Sequence, residues 1–468
     1  MMMHHLSRLL AKQGDNRFPR PLLALAVTLA LSACSQSTYH RPELAVAPSW
    51  QQTNQGLNQQ QAGPWWQGFD DPALDQLVAA VLAANPDMQV AGLRLKSALL
   101  SADLADTNLT PSVNASIGVN GNKNLGTGKS DGNLGPTLNL SYEVDLWGRL
   151  AAVRDQAQWE AEASEQDLAA TRLLLIGKTL EQYWQLAYLG SAITLGERQL
   201  LNVERAERLT RAKYEAGAIT RLDMVQASQQ KAGKQAELAA LVQQREQAGN
   251  ALRLLLGRSY GPLEFAPGEL AVHPIPTLAV GIPADVLARR PDVRAAELRL
   301  RKTLAKGDEI RTGFYPTLSL TGGASSTSDT LTQVLSNPVG SLGATLALPF
   351  LEYNKTRLSI ASSDIDYQIA ETEFRKQLYT ALLEVEDGLA ARRQGEQRLR
   401  YLEQQLGYAK EAERLAQARF QAGATGVQPW LDEQNRLWDA QLSLLAQQQT
   451  QLNTMAGIYR ALGGSDRG

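Results

Sequence analysis

From Gly148 to Tyr214 the chain runs through RLAAVRDQAQWEAEASEQDLAATRLLLIGKTLEQYWQLAYLGSAITLGERQLLNVERAERLTRAKY without one proline. Leu173, Ile176, Leu180, Tyr183 and Ala187 recur at alternating spacings of three and four, the seam that a helix buries against a neighbouring helix. At 1.5 Å per residue, one helix of this size is about 100 Å long. Helices in compact domains run to roughly 11 residues, so a rod of this length belongs to a coiled coil, a repeat array or a spanning column. A second proline-free run, Asn354 to Phe420, carries Leu378, Leu382, Val385 and Leu389 on one face.

The chain has 468 residues, 44% hydrophobic and 20% charged, a balance that fits neither a disordered chain nor a helical membrane protein. Lys and Arg total 46 against 48 for Asp and Glu, which argues against a nucleic-acid partner. Cys34 is the sole cysteine, so neither an intrachain disulfide nor a thiolate metal cluster can form. Its position is informative. Arg8, Lys12, Arg17 and Arg20 precede the apolar run Pro21 to Ala33, a signal-peptide pattern too short for a spanning helix of about 20 residues. The run ends Leu31-Ser32-Ala33-Cys34, which resembles the bacterial lipobox. That resemblance implies that residues 1–33 are removed and that Cys34 carries a diacylglycerol and an N-acyl lipid; no other cofactor and no metal is expected. Ser35 after the cysteine resembles lipoproteins sorted to the outer membrane.

Residues 34–64, rich in Gln, Ser, Pro and Asn, read as a lipid-anchored extended tether. Trp65-Trp66 and Phe69-Asp70-Asp71-Pro72 open a short helix over 73–84, and Asn85-Pro86 starts another to about Asn108; proline suits the first helical position because its missing N–H has no partner there anyway. Val113, Ala115, Ile117 and Val119 then alternate with polar residues, as do Leu138, Leu140, Tyr142 and Val144 after the loop GNKNLGTGKSDGN. This period of two predicts a hairpin over about 111–145, with strands near the 10 residues that cross a bilayer at a tilt. Gly128-Lys129-Ser130 in the loop is no phosphate-binding loop, since Lys123 stands where the first glycine is needed. After the long helix, Ala216-Gly217-Ala218-Ile219 must reverse the chain. Thr220 and Asp223 have capping-box spacing for a helix running to about Gly257.

The pattern then returns. Pro86-Asp87 is matched by Pro291-Asp292, Leu93-Arg94-Leu95 by Leu298-Arg299-Leu300 and Pro111 by Pro316, all at an offset of 205; Tyr214, Ala216-Gly217-Ala218 and Gly257 match Phe420, Ala422-Gly423-Ala424 and Gly463 at 206. So constant a spacing marks an internal duplication. The repeats are 65–257 and 284–464, joined by a proline-rich linker, 258–283, and followed by a tail, 465–468. Each reads helix, hairpin, long helix, reversal, helix, the second hairpin being about 316–350. Arg289 and Arg290 read as a solvated turn before the Pro291 helix, and Trp147 as a rim aromatic.

Four strands cannot close a membrane barrel, and an open sheet edge in hydrocarbon leaves N–H and C=O groups unpaired at several kcal/mol each. The chain is therefore expected to oligomerise: two copies give 8 strands and three give 12, with polar positions lining the lumen. Leu431, Trp438, Leu445, Leu452 and Tyr459 recur every seven residues, a coiled-coil seam expected between neighbours.

The stretch Pro283-Ala284-Asp285-Val286-Leu287-Ala288-Arg289-Arg290-Pro291-Asp292-Val293-Arg294-Ala295-Ala296-Glu297 resembles the signature of NodT-type outer membrane efflux lipoproteins, in the TolC/OprM-like outer membrane factor family. Trp65-Trp66, Phe69, Asp71-Pro72, the Val144-Asp145-Leu146-Trp147-Gly148-Arg149 strand exit and both Ala-Gly reversals agree. The resemblance covers about Trp65 to Gly464. It implies a mainly helical fold with transmembrane β-strands, and a homotrimer in which a 12-stranded outer-membrane barrel is continued by a 12-helix periplasmic barrel. It also implies an exit duct for drugs or other small molecules, working with a periplasmic adaptor and an inner-membrane transporter. By the same resemblance the adaptor docks at the turns bearing Gly217, Thr220, Asp223, Gly423 and Thr425. Asp432, nine residues past Gly423, matches an aspartate ringing the periplasmic gate, and Trp430 or Leu431 could narrow it instead.

Other functions fit less well. The four histidines, His4, His5, His40 and His273, stand near no carboxylate pair or cysteine, so no triad or metal site assembles and no enzyme is expected. A non-conducting coiled-coil tether leaves the hairpins unexplained. A duct for type I protein secretion is the remaining alternative.

Overall fold

A computed structural model describes residues 37–42, 49–51, 64–263, 267, 270, 283–328 and 335–464. The signal segment, Cys34, His273 and the tail 465–468 lie outside them. The chain divides into two compact units: Met1–Arg41 with Ala105–Gln156 and Thr303–Asp366, and Pro42–Leu104 with Ala157–Lys302 and Tyr367–Gly468.

The first unit is built on four antiparallel strands in chain order, β1 (Ser112–Lys123), β2 (Ser130–Val144), β3 (Thr317–Ser326) and β4 (Pro338–Ala347). The return strand of the second hairpin is shorter than the expected run to Phe350, because Pro349 has no N–H for the ladder and opens a 3-10 turn, Pro349–Leu351. The exit from β2 is fixed residue by residue. Asp145 accepts from the N–H groups of Leu150 (3.1 Å) and Ala151 (2.8 Å), capping the next helix, and Gly148 turns the corner at φ +75°. Arg149 grips both oxygens of Glu143 at 2.8 and 2.9 Å, and the Trp147 indole donates to the Pro316 carbonyl at 2.7 Å.

The helices are α1 (Pro72–Ala84), α2 (Pro86–Asp106), α3 (Arg149–Glu215), α4 (Arg221–Leu255), α5 (Pro283–Arg289), α6 (Pro291–Thr312), α7 (Tyr353–Gln421) and α8 (Gln428–Ala461). The long rods α3 and α7 have 67 and 69 residues. The second unit's main core packs Trp65, Phe69, Leu74, Leu77 and Val81 with Leu180, Tyr183 and Trp184 of α3. Asp71 orders that entry, accepting from Ala73 and Leu74 N–H groups and from the Tyr183 hydroxyl at 2.7 Å.

Each repeat closes on its own beginning. α4 and α8 end in the same left-handed glycine cap: Gly257 and Gly463 have positive φ, and the following N–H reaches back to Arg253 (2.9 Å) and Tyr459 (3.0 Å). The residue before each helix-opening proline then bonds the helix's last carbonyls. Asn85 donates to Leu255 at 2.8 Å, and Arg290 to Ala461 at 3.1 Å. The solvated turn expected at Arg289-Arg290 is thus corrected for Arg290, while Arg289 is exposed. Residues 283–289 are helical, and Arg290 is 6% exposed, bonded also to Asp292 (2.7 Å) and Glu384 (2.7 Å). Its charge is neutralised where it is buried, which makes the burial possible. Burial works to raise the Asp292 carboxyl, but the Arg290 guanidinium outweighs it and holds Asp292 below its ordinary range.

The heptad of α8 forms a seam with neighbouring helices. Leu431, Trp438 and Leu452 are buried within the single chain, Trp438 in a notch where a Cβ on Gly196 would stand 3.3 Å from its ring. At these three positions the seam faces the chain's own helices, while Leu445 and Tyr459 are half-buried.

Candidate functional site

Two places carry the functional expectations, one in each unit. In the first unit the strand register sets most apolar positions of one face opposite another. Val113 faces Leu140, Leu140 faces Gly322 and Gly322 faces Leu342, one row across all four strands; on the opposite side Asn114, Asn139, Gly323 and Ser341 make the next row. A slip of one residue would flip a strand's faces, so this pattern specifies a single pairing. The outcome is a sheet with one polar and one apolar surface, and the apolar one is bare: Ile117 is 76% exposed and Leu342 95%. Strands of 12, 15, 10 and 10 residues meet the bilayer requirement of about 9–11. β1 and β4 are edges with no partner among the described strands. Such a surface is unstable in water and, with its edges unpaired, unstable in lipid; it suits a segment of a larger closed barrel. Among the described residues no helix is long and apolar enough to cross a membrane. The Trp147 ring stands edge-on to Tyr315, 5.4 Å between centroids, at the strand ends.

In the second unit the expected turn residues fall into two turns of one kind. Gly217 (φ +73°) and Gly423 (φ +75°) end α3 and α7, with Ala218 N–H bonded to Lys213 at 2.8 Å and Ala424 N–H to Arg419 at 3.0 Å. The capping box forms: Thr220 Oγ1 accepts from Asp223 N–H at 3.3 Å, and Asp223 Oδ2 accepts from the N–H and hydroxyl of Thr220 at 3.0 and 2.6 Å. These bonds, against a smaller opposing effect of burial, hold the Asp223 carboxyl below its ordinary value. The other oxygen of Asp223 accepts from Val427 N–H at 3.4 Å, at the start of α8, where the N-cap residue, Val427 itself, makes no side-chain cap bond. One carboxylate thus serves helices of both repeats. Sequence spacing could not have shown that, since the partner lies in the other repeat.

Asp432 is exposed one turn into α8 and accepts from Gln428 Nε2 at 2.7 Å. Trp430 and Leu431, expected as alternative narrowing residues, are turned inward. Trp430 stacks on Phe420, 5.3 Å between centroids, and donates to Glu413 at 2.9 Å, while Leu431 shares a cluster with Ala206 and Val427. Packing against the protomer uses up these two apolar faces, so the chain presents Asp432, not Trp430 or Leu431, at this point. Thr425 stands half-buried in the second turn. Among the described residues no group of His, Cys, Asp and Glu could hold a metal ion.

Comparison with known proteins agrees with the duplicated architecture. The sequence pattern of the outer membrane efflux protein family matches twice, at residues 77–258 and 282–464. The chain is 31% identical to a probable efflux pump outer membrane protein, TtgC, of Pseudomonas putida, over 95% of this chain and 96% of that protein. It is 30% identical to the pyoverdine export outer membrane protein OpmQ of the same species, over 95% and 97% of the two chains. Its fold matches the open-state crystal structure of the MtrE outer membrane channel of Neisseria gonorrhoeae with a TM-score of 0.81 at 26% identity, covering 92% of this chain and 98% of that one.

Proposed function

Because the chain belongs to the outer membrane efflux protein family, we propose that three copies close one barrel in the outer membrane and form the exit duct of a tripartite efflux system for drugs or other small molecules. The observation that carries this reading is the amphipathic four-stranded sheet with two open edges. Three copies contribute twelve strands, enough for a lumen that holds water, with the Asn, Ser and Thr rows lining it. Cys34 carries a diacylglycerol and an N-acyl lipid that add to the hold of the outer-membrane lipid. A periplasmic adaptor, coupled to an inner-membrane transporter, docks at the two turns bearing Gly217, Thr220, Asp223, Gly423 and Thr425. Three copies of Asp432 ring the periplasmic opening, where fixed negative charge holds cations and makes the duct cation-selective.

Single-channel recording in a planar bilayer tests the reading. Purified protein should run as a trimer in mild detergent and conduct, and Asp432→Ala should raise conductance and weaken block by multivalent cations. A stable, non-conducting monomer would overturn the duct; unchanged conductance and block in Asp432→Ala would move the gate to another ring.

A further inference from the structure

The segment after Cys34, expected as a tether, is docked at two places among its described residues. Trp50 is buried in the core of the second unit, and Gln51 N–H donates to Glu386 at 2.8 Å. In the first unit, Ser37 turns both of its donors on one carboxylate: its N–H meets Asp308 Oδ2 at 3.0 Å and its hydroxyl meets Oδ1 at 2.5 Å. Arg311, one turn further along α6, donates to Ser37 Oγ at 3.1 Å and to Asp308 at 3.2 Å, and lies 3.9 Å from Asp364. Asp308 is buried, so its charge must be met by donors, and three of those are supplied by Ser37 and Arg311. Bonds to an ionised acceptor are about twice as strong as neutral ones. Such a clamp is out of place on a free tether, which needs no buried partner 271 positions away.

We propose that Asp308 and Arg311 are the seat of the mature N-terminus, and that the seat fixes where the acyl chains of Cys34 enter the bilayer. The inference rests on the acylation of Cys34 proposed above. Three steps of chain separate Cys34 from Ser37 and span at most about 10 Å. A thirty-residue flexible tether would instead let its end wander over about 30 Å. Asp308 lies in the last turns of α6, and β3 begins five residues after that helix ends. The seated anchor therefore enters lipid beside the chain's own strands. Asp308 is a positioning residue: it holds Ser37, and through Ser37 the lipid.

The full-length acylated protein in vesicles of phosphatidylethanolamine and phosphatidylglycerol provides the test. Chymotrypsin should cut slowly after Tyr39 in the wild type and about tenfold or more faster in Asp308→Ala, because cleavage follows the population of released strand. A bimane on Gln36→Cys, quenched by brominated lipid, should lose at least about half of its quenching in Asp308→Ala while the thermal midpoint stays within a few degrees. Ser37→Ala leaves α6 untouched and should change both readouts in the same direction, by less; it decides the matter if Asp308→Ala fails to assemble. Equal cleavage and equal quenching in wild type and variants would overturn the seat. A wild-type N-terminal fragment without acyl mass would instead overturn the lipid premise, leaving the cleavage rates to judge the clamp alone.

Discussion

The two turns at the ends of α3 and α7 share one backbone design and have opposite surfaces. Both close through a left-handed glycine with the same pair of backbone bonds. In the first repeat, Tyr214 is 37% exposed and Leu222 64%, so the apolar side chains around the turn remain bare. In the second, Phe420, which occupies the place of Tyr214, is 1% exposed beneath Trp430, with Lys213 from the first repeat set 4.2 Å over its ring and bonded to its carbonyl at 2.8 Å. Duplication thus copied the frame, and divergence assigned the work: one turn spends its apolar surface inside the chain, the other keeps it for another surface. The caps diverge as well. The first repeat builds a complete capping box, and the second borrows its cap from the first through Asp223.

That contrast can be broken most sharply at its centre. Phe420→Ala should cost about 3–5 kcal/mol, whereas Tyr214→Ala should cost about 1–2 kcal/mol, because a side chain already more than a third exposed leaves a smaller cavity. Thermal unfolding of the detergent-solubilised protein measures both; equal losses would mean that the two turns are packed alike. Next in size, Arg290→Met should cost about 2 kcal/mol, since Asp292 and Glu384 lose their counter-charge but are exposed enough to recover some hydration. Asn85→Ala, the matching change in the first repeat, should cost about 1 kcal/mol as a lost cap. The same melts rank the two, and a larger effect at Asn85 would reverse the assignment of charge to the second repeat. An effect as small as that of Asn85→Ala belongs to Asp223. Asp223→Ala should cost about 1 kcal/mol and loosen both turns, read as faster proteolysis on each side of Gly217 and Gly423. Its carboxyl is depressed in the folded chain, so the stabilisation is complete above the ordinary value of 3.8 and fades as pH falls below it toward the folded value. Proteolytic opening of the turns with an acid-active protease should rise below pH 3.8 in the wild type and stay level in Asp223→Ala.

Sequence pattern was a good guide wherever one element's own period decided the matter. The long rods, the four strands and both glycine reversals came from local regularities, because a period of 3.6 or 2 and a left-handed glycine are properties of a few neighbouring residues. Pairing was harder. The heptad from Leu431 to Tyr459 shows that α8 buries a stripe, but carries no mark of whose helices cover it. Arg290 reads as solvated because arginine usually is; its partners Ala381, Glu384 and Ala461 lie far along the chain. Ser37 and Trp50 were hidden by a polar, glutamine-rich setting in which single anchoring residues leave no period. In the candidate site the capping box is legible, while the bond from Asp223 to the other repeat and the inward turn of Trp430 depend on contacts only the fold brings together.

The unlike edges of the sheet have a kinetic consequence. β1 and β4 run in opposite directions, so copies inserted the same way up can pair antiparallel only by setting β1 of one beside β4 of the next. That contact is head-to-tail, and it ends only when the ring closes. Every incomplete ring still exposes one β1 and one β4 edge, whose polar backbone the hydrocarbon cannot hydrate. In the three-copy barrel proposed above, closure is thereby a reaction among copies, with no stable membrane-inserted monomer to start from. Its rate should climb more steeply than the first power of protein density at the membrane, so halving the supply of chains should lower the yield of barrels by more than half.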